Sequence, residues 1–124
     1  MNGIILLAHG SRDPQWVAPF ALIRGKVELR RPECRVALAY LEHSVPDFAT
    51  AVDELAAQGA TVVAVIPLFL GSGGHVRRDV PHLIQQAHNK HPRIKFDAAP
   101  FVGDADVVLE AIADYVSTAD RSPD

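Results

Sequence analysis

Four short apolar runs alternate along the chain with longer segments in which apolar residues recur every three or four positions. The runs cover residues 3–8, 34–41, 61–66 and 94–98. Runs of this length, apolar at consecutive positions, are typical of strands that a parallel sheet buries on both faces. Strands and helices that alternate at this spacing predict an α/β fold with helices on both faces of a parallel sheet.

The segments between the runs predict four helices, at about 14–31, 46–58, 79–91 and 104–116. Asp13 is a candidate cap for the first helix, and Gly59 is well placed to end the second. The glycine-rich segment 68–75 is predicted to be a loop, and residues 118–124 a flexible tail.

Short right-handed crossovers leave few topologies for four such strands, and we favour the strand order 2-1-3-4. The prediction is therefore a single three-layer domain over residues 1–117, similar to half of a flavodoxin-like fold.

Polar side chains follow three of the predicted strands. His9 follows the first strand, Glu42 and His43 follow the second, and His75 ends the loop after the third. Ligands of open parallel sheets bind outside the carboxyl ends of the strands, so we expect these residues to face one crevice. Two imidazoles and a carboxylate can bind cobalt, iron, nickel or zinc, and histidine also accepts protons near neutral pH.

Each of these residues also has an ordinary structural interpretation. A lone histidine at a strand end is often a hydrogen-bonding residue, and Glu42 could cap the next helix. Segment 71–74 could be a tight turn, a loop that approaches a bulky ligand closely, or a phosphate-binding loop, although it lacks the lysine of a P-loop. Arg12, Arg77 and Arg78 could bind carboxylates bidentately or be surface arginines.

Other polar residues are expected to have no functional role. His82, His88 and His91 fall on one predicted helix, where we expect a solvated face. Cys34 opens a buried strand and is expected to be inert. A single cysteine cannot form an internal disulfide, which favours a reducing cytoplasm.

Charge and hydropathy exclude several classes of partner. The net charge is −3 and aromatic residues make up 6% of the chain, so we expect no nucleic-acid partner. Residues 96–124 contain seven acidic residues and one basic residue, which leaves the rest of the chain more favourable for an anionic ligand. The apolar run 62–70 is far shorter than a membrane span, and residues 4–8 form a poor signal peptide, so we expect no membrane association.

Two histidine motifs resemble those of one protein family. Residues 7–14 read Leu-Ala-His-Gly-Ser-Arg-Asp-Pro, and residues 67–81 read Pro-Leu-Phe-Leu-Gly-Ser-Gly-Gly-His-Val-Arg-Arg-Asp-Val-Pro. Both resemble motifs of the short-form, CbiX-type sirohydrochlorin cobaltochelatases among the class II chelatases, and Tyr40-Leu41-Glu42 matches the strand end between them. The similarity extends over residues 3–116 in the order and spacing of elements.

This resemblance implies a chelatase-like half domain that inserts Co²⁺ into sirohydrochlorin during cobalamin or siroheme biosynthesis. The divalent metal is then a substrate, with Fe²⁺ and Ni²⁺ as alternatives, and no organic cofactor is expected. The resemblance also implies that His9 and His75 bind metal and accept protons, that Glu42 assists them as a metal ligand, and that the protein is a cytoplasmic homodimer. The residues expected to bind the substrate are Ser11, Arg12, Gly71, Ser72, Gly73, Gly74, Arg77 and Arg78.

One segment departs from the family pattern. Relatives often carry a Gly-Pro-His segment near the last helix, whereas residues 102–106 here read Val-Gly-Asp-Ala-Asp. This departure favours the first alternative to the cobaltochelatase, a non-catalytic metal or tetrapyrrole carrier. Two further alternatives are a sirohydrochlorin ferrochelatase, because the ligand types do not distinguish cobalt from iron, and a phosphate- or nucleotide-binding module built on segment 71–74.

Overall fold

The computed structural model describes residues 1–122 and contains four parallel strands that alternate with four helices. The strands are β1 (Asn2–Ala8), β2 (Cys34–Tyr40), β3 (Val62–Pro67) and β4 (Lys95–Ala98). The helices are α1 (Pro14–Arg30), α2 (Phe48–Ala57), α3 (Gly74–Lys90) and α4 (Asp106–Ala119), with a 3₁₀ turn at Val102–Asp104. The strand order is β2-β1-β3-β4, so the predicted topology is confirmed.

The sheet packs unequally on its two faces. Alternate side chains of the central strands, such as Ile5, Leu7, Val63 and Val65, are completely buried and belong to a large apolar cluster together with residues of α2 and α3. The opposite face carries a smaller cluster, in which Leu6, Ala8, Leu38 and Tyr40 pack with residues of α1. The helices thus cover both faces of the sheet, in three layers.

Two aspartates cap helices at the ends of strand–helix loops. Asp13 accepts a hydrogen bond from the backbone N–H of Gln15 at 2.9 Å, which confirms its predicted role at the start of α1. Asp47 does the same for α2 through the N–H of Thr50 at 2.9 Å.

Helix α3 begins five residues earlier than predicted, at Gly74 rather than Asp79. The prediction of a loop through His75 is wrong, because a glycine-rich segment can still form the cap and first turn of a helix. Gly73 instead lies in the extended conformation that a helix cap requires, and Val76 and Val80 continue the apolar spacing into the core. His75 is therefore on the first turn of a helix.

Helix α4 differs from the prediction at both ends. It begins at Asp106, after the 3₁₀ turn, and continues to Ala119, so Thr118 and Ala119 of the predicted flexible tail are helical. Residues 123–124 of that tail lie outside the described part of the chain. None of the helices in residues 1–122 is long and apolar enough to cross a membrane.

Candidate functional site

The loops after β1 and β2 are joined through their main chains. The N–H of Glu42 donates to the carbonyl oxygen of His9 at 3.0 Å, and the N–H of Leu41 donates to the carbonyl oxygen of Ala8 at the same distance. These bonds continue the pairing of β1 with β2 beyond the strands and hold His9 beside Glu42.

Gly10 allows the two loops to approach this closely. Its φ is +87°, and a Cβ atom at this position would lie 1.9 Å from the carbonyl oxygen of Glu42. Any other residue would therefore be strained and would displace the neighbouring loop.

A serine pair joins the loops one residue further along. The hydroxyl of Ser44 accepts a hydrogen bond from the N–H of Ser11 at 3.0 Å and donates one to the carbonyl oxygen of Ser11 at 2.9 Å. The hydroxyl of Ser11 accepts from the N–H of Asp13 at 3.0 Å, which helps to shape the start of α1. The Ser11 side chain thus has a structural partner as well as its predicted place in substrate binding.

The three predicted metal-binding residues line one cavity. This cavity has a volume of about 290 Å³ and lies at the carboxyl ends of the strands, between the β1 and β2 loops and α3. Its lining residues are His9, Leu41, Glu42, His75, Val76, Asp79, His82 and Leu83. The lining of this cavity thus includes two imidazoles and a carboxylate from the predicted set.

Helix α3 adds two polar residues that the sequence interpretation missed. His75, Asp79 and His82 are spaced four and three residues apart, so they share one face of the helix. The Nε2 atom of His75 lies 2.9 Å from Oδ2 of Asp79, and the His75 side chain is 80% exposed. His82 is exposed, as expected, but it also lines the cavity, because α3 begins before His75 and presents this face to the cavity.

The predicted metal ligands are not assembled into a compact group. Within residues 1–122, no three histidine, cysteine, aspartate or glutamate side chains are close enough to hold one metal ion. The ligand roles of His9, Glu42 and His75 therefore stay predictions. His43 lies outside the cavity lining, with its Nε2 atom 3.7 Å from Oε2 of Glu42.

None of the predicted substrate-binding residues is among those that line the cavity. These residues are Ser11, Arg12, Gly71, Ser72, Gly73, Gly74, Arg77 and Arg78. The hydroxyl oxygen of Ser72 is buried and makes no hydrogen bond within the described residues. Their roles in binding stay predictions as well.

Arg77 already has partners within the chain. Its two terminal nitrogens donate to the carboxylate of Asp104 at 2.8 and 3.2 Å, and its guanidinium lies 4.9 Å from the centre of the Phe101 ring. The Arg77 guanidinium holds the pKa of Asp104 below its usual range, and the hydrogen bonds to Asp104 raise the pKa of Arg77.

An open α/β sheet with imidazole and carboxylate side chains around a cavity at its strand ends is typical of α/β proteins that bind a ligand at that edge. Comparisons with known proteins identify the family. The CbiX family model matches residues 3–119, so the chain belongs to the CbiX family.

Three similar proteins illustrate this relationship. The chain is 36% identical over 84 residues to a sirohydrochlorin cobaltochelatase from Methanothermobacter thermautotrophicus, a match that covers 66% of this chain and 57% of that relative. A solved CbiX protein from Marinobacter aquaeolei VT8 superimposes with a TM-score of 0.84 and 33% identity, over 95% of this chain and 96% of that one. The sirohydrochlorin chelatase SirB from Bacillus subtilis subspecies spizizenii, solved with cobalt, gives a TM-score of 0.74 at 25% identity, over 99% of this chain but 55% of SirB.

Proposed function

We propose that this protein is a sirohydrochlorin cobaltochelatase, which inserts Co²⁺ into the tetrapyrrole during cobalamin or siroheme biosynthesis. In this proposal His9 and His75 bind the metal and accept protons, and Glu42 assists them. The observation that carries the proposal is the meeting of these three side chains around one cavity in a CbiX-family fold. The activity named for the Methanothermobacter relative supports the same assignment.

The donor set suits a metal that must be both bound and released. Insertion forms bonds from Co²⁺ to the pyrrole nitrogens and releases two protons from the pyrrole N–H groups. Neutral imidazoles bind Co²⁺ and, once the metal has left them, accept those protons near neutral pH. Glu42 adds a negative charge that favours the cation and the protonated imidazoles.

The two histidines are held in different ways, which suggests how the roles are divided. Both side chains are exposed, but the main chain of His9 is hydrogen-bonded to that of Glu42, whereas the His75 side chain contacts Asp79 through Nε2. We propose that His9 and Glu42 form the fixed part of the metal site. The His75 side chain then moves between Asp79 and the metal, or passes a proton to Asp79.

The test is the rate of cobalt insertion in anaerobic solution. Purified protein is mixed with sirohydrochlorin and Co²⁺, and the absorbance change on metallation is followed for wild type, His9→Ala and His75→Ala. We expect acceleration over the protein-free reaction in wild type and its loss in both variants, because each variant lacks one ligand and one base. General acid–base groups typically contribute about 10²–10⁴-fold to a rate.

His88→Ala is the matched control on the same helix. The His88 ring packs edge-on against Phe96, 6.4 Å between ring centres, and lies outside the cavity lining. This variant should keep the wild-type rate. A wild-type rate no faster than the blank would contradict the chelatase and favour the carrier, especially if Co²⁺ still bound tightly.

Iron is the second candidate metal. Imidazole and carboxylate ligands do not by themselves distinguish Co²⁺ from Fe²⁺. The same assay with Fe²⁺ and Ni²⁺ under identical conditions gives the metal preference, and a higher specificity for Fe²⁺ would make the protein a ferrochelatase.

We also propose that the chain acts as a homodimer and that helix α4 forms part of the dimer interface. Three of its apolar residues, Leu109, Ile112 and Val116, share a face and are 43%, 40% and 57% exposed. Soluble proteins rarely leave such a surface uncovered. The longer SirB chain, of which this chain covers 55%, has room for a second domain of similar size, which a second copy would supply here.

The mass of the protein in solution tests the dimer. Light scattering after size-exclusion chromatography should give twice the chain mass of 13.4 kDa for wild type and the chain mass for Ile112→Asp. Ser117→Asp places the same charge beside Glu110 and Asp114, on the polar side of α4, and should leave the dimer intact. A monomeric wild type would contradict the dimer proposal.

A further inference from the structure

A continuous row of side chains connects the 3₁₀ turn to His9. The His9 ring packs on Phe69 with 4.5 Å between ring centres, and Phe69 meets Phe101 edge-on at 5.4 Å. The Arg77 guanidinium covers the other end of this row, 4.9 Å from the centre of Phe101, and is held by two hydrogen bonds to Asp104. The row therefore begins at a charged pair and ends at a predicted metal ligand.

A main-chain hydrogen bond also joins the 3₁₀ turn to the loop that carries Phe69. The N–H of Gly103 donates to the carbonyl oxygen of Phe69 at 3.1 Å. A Cβ atom on Gly103 would lie 1.7 Å from the carbonyl oxygen of Leu70, so the turn touches the loop that carries Phe69. A shift of the turn must therefore move Phe69 or break this contact.

Burial makes Phe69 a support for the exposed His9. Phe69 is 2% exposed and belongs to the large apolar cluster, whereas His9 is exposed at the cavity. An exposed histidine has several staggered side-chain orientations, and contact with a fixed ring favours one of them. The position of Phe69 therefore influences where the His9 nitrogens point.

We propose that Arg77 and Asp104 are positioning residues for metal binding, which orient the His9 ring through Phe101 and Phe69. The inference rests on the proposed role of His9 as a metal ligand. It also gives a role to segment 102–106, which departs from the family pattern, because Asp104 of that segment pairs with Arg77.

The charge pair has the geometry for this role. Bidentate arginine–carboxylate pairs fix direction as well as distance, and a guanidinium over an aromatic ring adds a further attraction. Both side chains are close to half exposed, so the pair adds little to overall stability. Its main effect is to keep Phe101 against Phe69.

This role differs from the predicted binding of substrate carboxylates by Arg77. Both terminal nitrogens of Arg77 are already bonded to Asp104, so a substrate carboxylate would have to displace that residue. The two roles give opposite expectations for Asp104→Asn. If Arg77 positions His9, loss of the Asp104 charge disrupts that positioning. If Arg77 binds substrate carboxylates, the same loss frees Arg77 for the substrate.

The experiment measures His9 and Co²⁺ binding without any tetrapyrrole. The NMR signals of the His9 ring protons are assigned through His9→Gln and compared in Arg77→Gln, Asp104→Asn and Phe101→Leu. We expect all three variants to shift the His9 signals, because ring-current contributions from Phe69 change, and to weaken Co²⁺ binding roughly tenfold by calorimetry. Arg24→Gln, which removes a surface ion pair with Glu28 on α1, is the matched control and should change neither.

A charge exchange provides the second variant. Arg77→Asp combined with Asp104→Arg rebuilds the pair in reverse and should restore part of the Co²⁺ affinity that each single change removes. Unchanged His9 signals and Co²⁺ affinity in Asp104→Asn would overturn the proposal. The proposal would also be overturned if only Arg77→Gln had an effect, and if that effect were only a raised KM for sirohydrochlorin.

Failure of the proposed function has a separate signature. If wild type does not accelerate cobalt insertion but the three variants still shift His9 and weaken Co²⁺ binding, the positioning role stands and the chelatase assignment fails.

Discussion

The two walls of the cavity are built on different principles. One wall consists of the loops after β1 and β2, where main-chain hydrogen bonds and Gly10 hold His9 beside Glu42. The other wall is one face of α3, where His75 is an exposed side chain in contact with Asp79.

The difference shows which parts of the site depend on backbone and which on side chains. Positions defined by main-chain hydrogen bonds change little when a single side chain is replaced, unless the replacement blocks the close approach of the loops. Side chains on a helix face depend on their rotamers and on neighbours one turn away. The backbone of the first wall should therefore be sensitive to strain, whereas the side chains of the second wall should be sensitive to charge and hydrogen bonding.

The largest effect is expected from Gly10→Ala, which strains the first wall. The positive φ and the clash with the Glu42 carbonyl oxygen should lower the free energy of unfolding by about 2–4 kcal/mol and displace the loop of His9. Urea unfolding and Co²⁺ calorimetry measure the two effects. Gly25→Ala is the control: the site in α1 has open space, so alanine should raise stability by about 0.5–1 kcal/mol. Wild-type stability in Gly10→Ala would show that the loops are not locked as described.

Asp79→Asn tests the second wall without altering its backbone. We expect Co²⁺ to bind about tenfold more weakly, because outer carboxylates orient and polarise ligating histidines. The free energy of unfolding should change little, since the pair is solvent-exposed. Asp97→Asn, on the exposed side of β4, is the charge-matched control. Equal Co²⁺ affinity in both variants would exclude a role for Asp79.

Ser44→Ala tests the connection between the loops with a smaller perturbation. The variant loses both hydrogen bonds to the Ser11 backbone and should be destabilised by about 1–2 kcal/mol. Ser117→Ala, which removes one exposed hydroxyl bond on α4, should cost much less. Thermal unfolding of the two variants gives the comparison, and equal melting temperatures would contradict it.

The smallest effect concerns the attachment of α3 to α2. Hydrogen bonds from Lys90 and His91 hold the pKa of Asp53 below its usual range. A lowered carboxyl pKa adds stability above the usual value of about 4, and this contribution disappears as pH falls through the lowered pKa. Stability should therefore drop below about pH 4 in wild type and less steeply in Asp53→Asn, measured by urea unfolding from neutral to acid pH. Parallel curves for the two proteins would contradict this assignment.

Sequence patterns predicted the fold and the first wall well. The apolar runs corresponded to all four strands, and the positions of His9 and Glu42 followed directly from the strand ends. The second wall was predicted only in part. Because the start of α3 was placed five residues late, the helical spacing of His75, Asp79 and His82 was not apparent.

Other features required contacts between distant segments. Arg77 and Asp104 are 27 residues apart, and no local pattern indicates that they pair. The same holds for the packing of Phe69 between His9 and Phe101. Such contacts depend on how the loop after β3, the start of α3 and the 3₁₀ turn meet in space.

The sequence by itself determined the α/β class, the strand order and the edge of the sheet where the cavity lies, because apolar periodicity and short crossovers permit few arrangements. Only the tertiary structure decided which side chains share that cavity and which are already engaged elsewhere. The orientation of a side chain depends on neighbours from other segments of the chain. Local sequence patterns do not indicate which distant segments supply those neighbours.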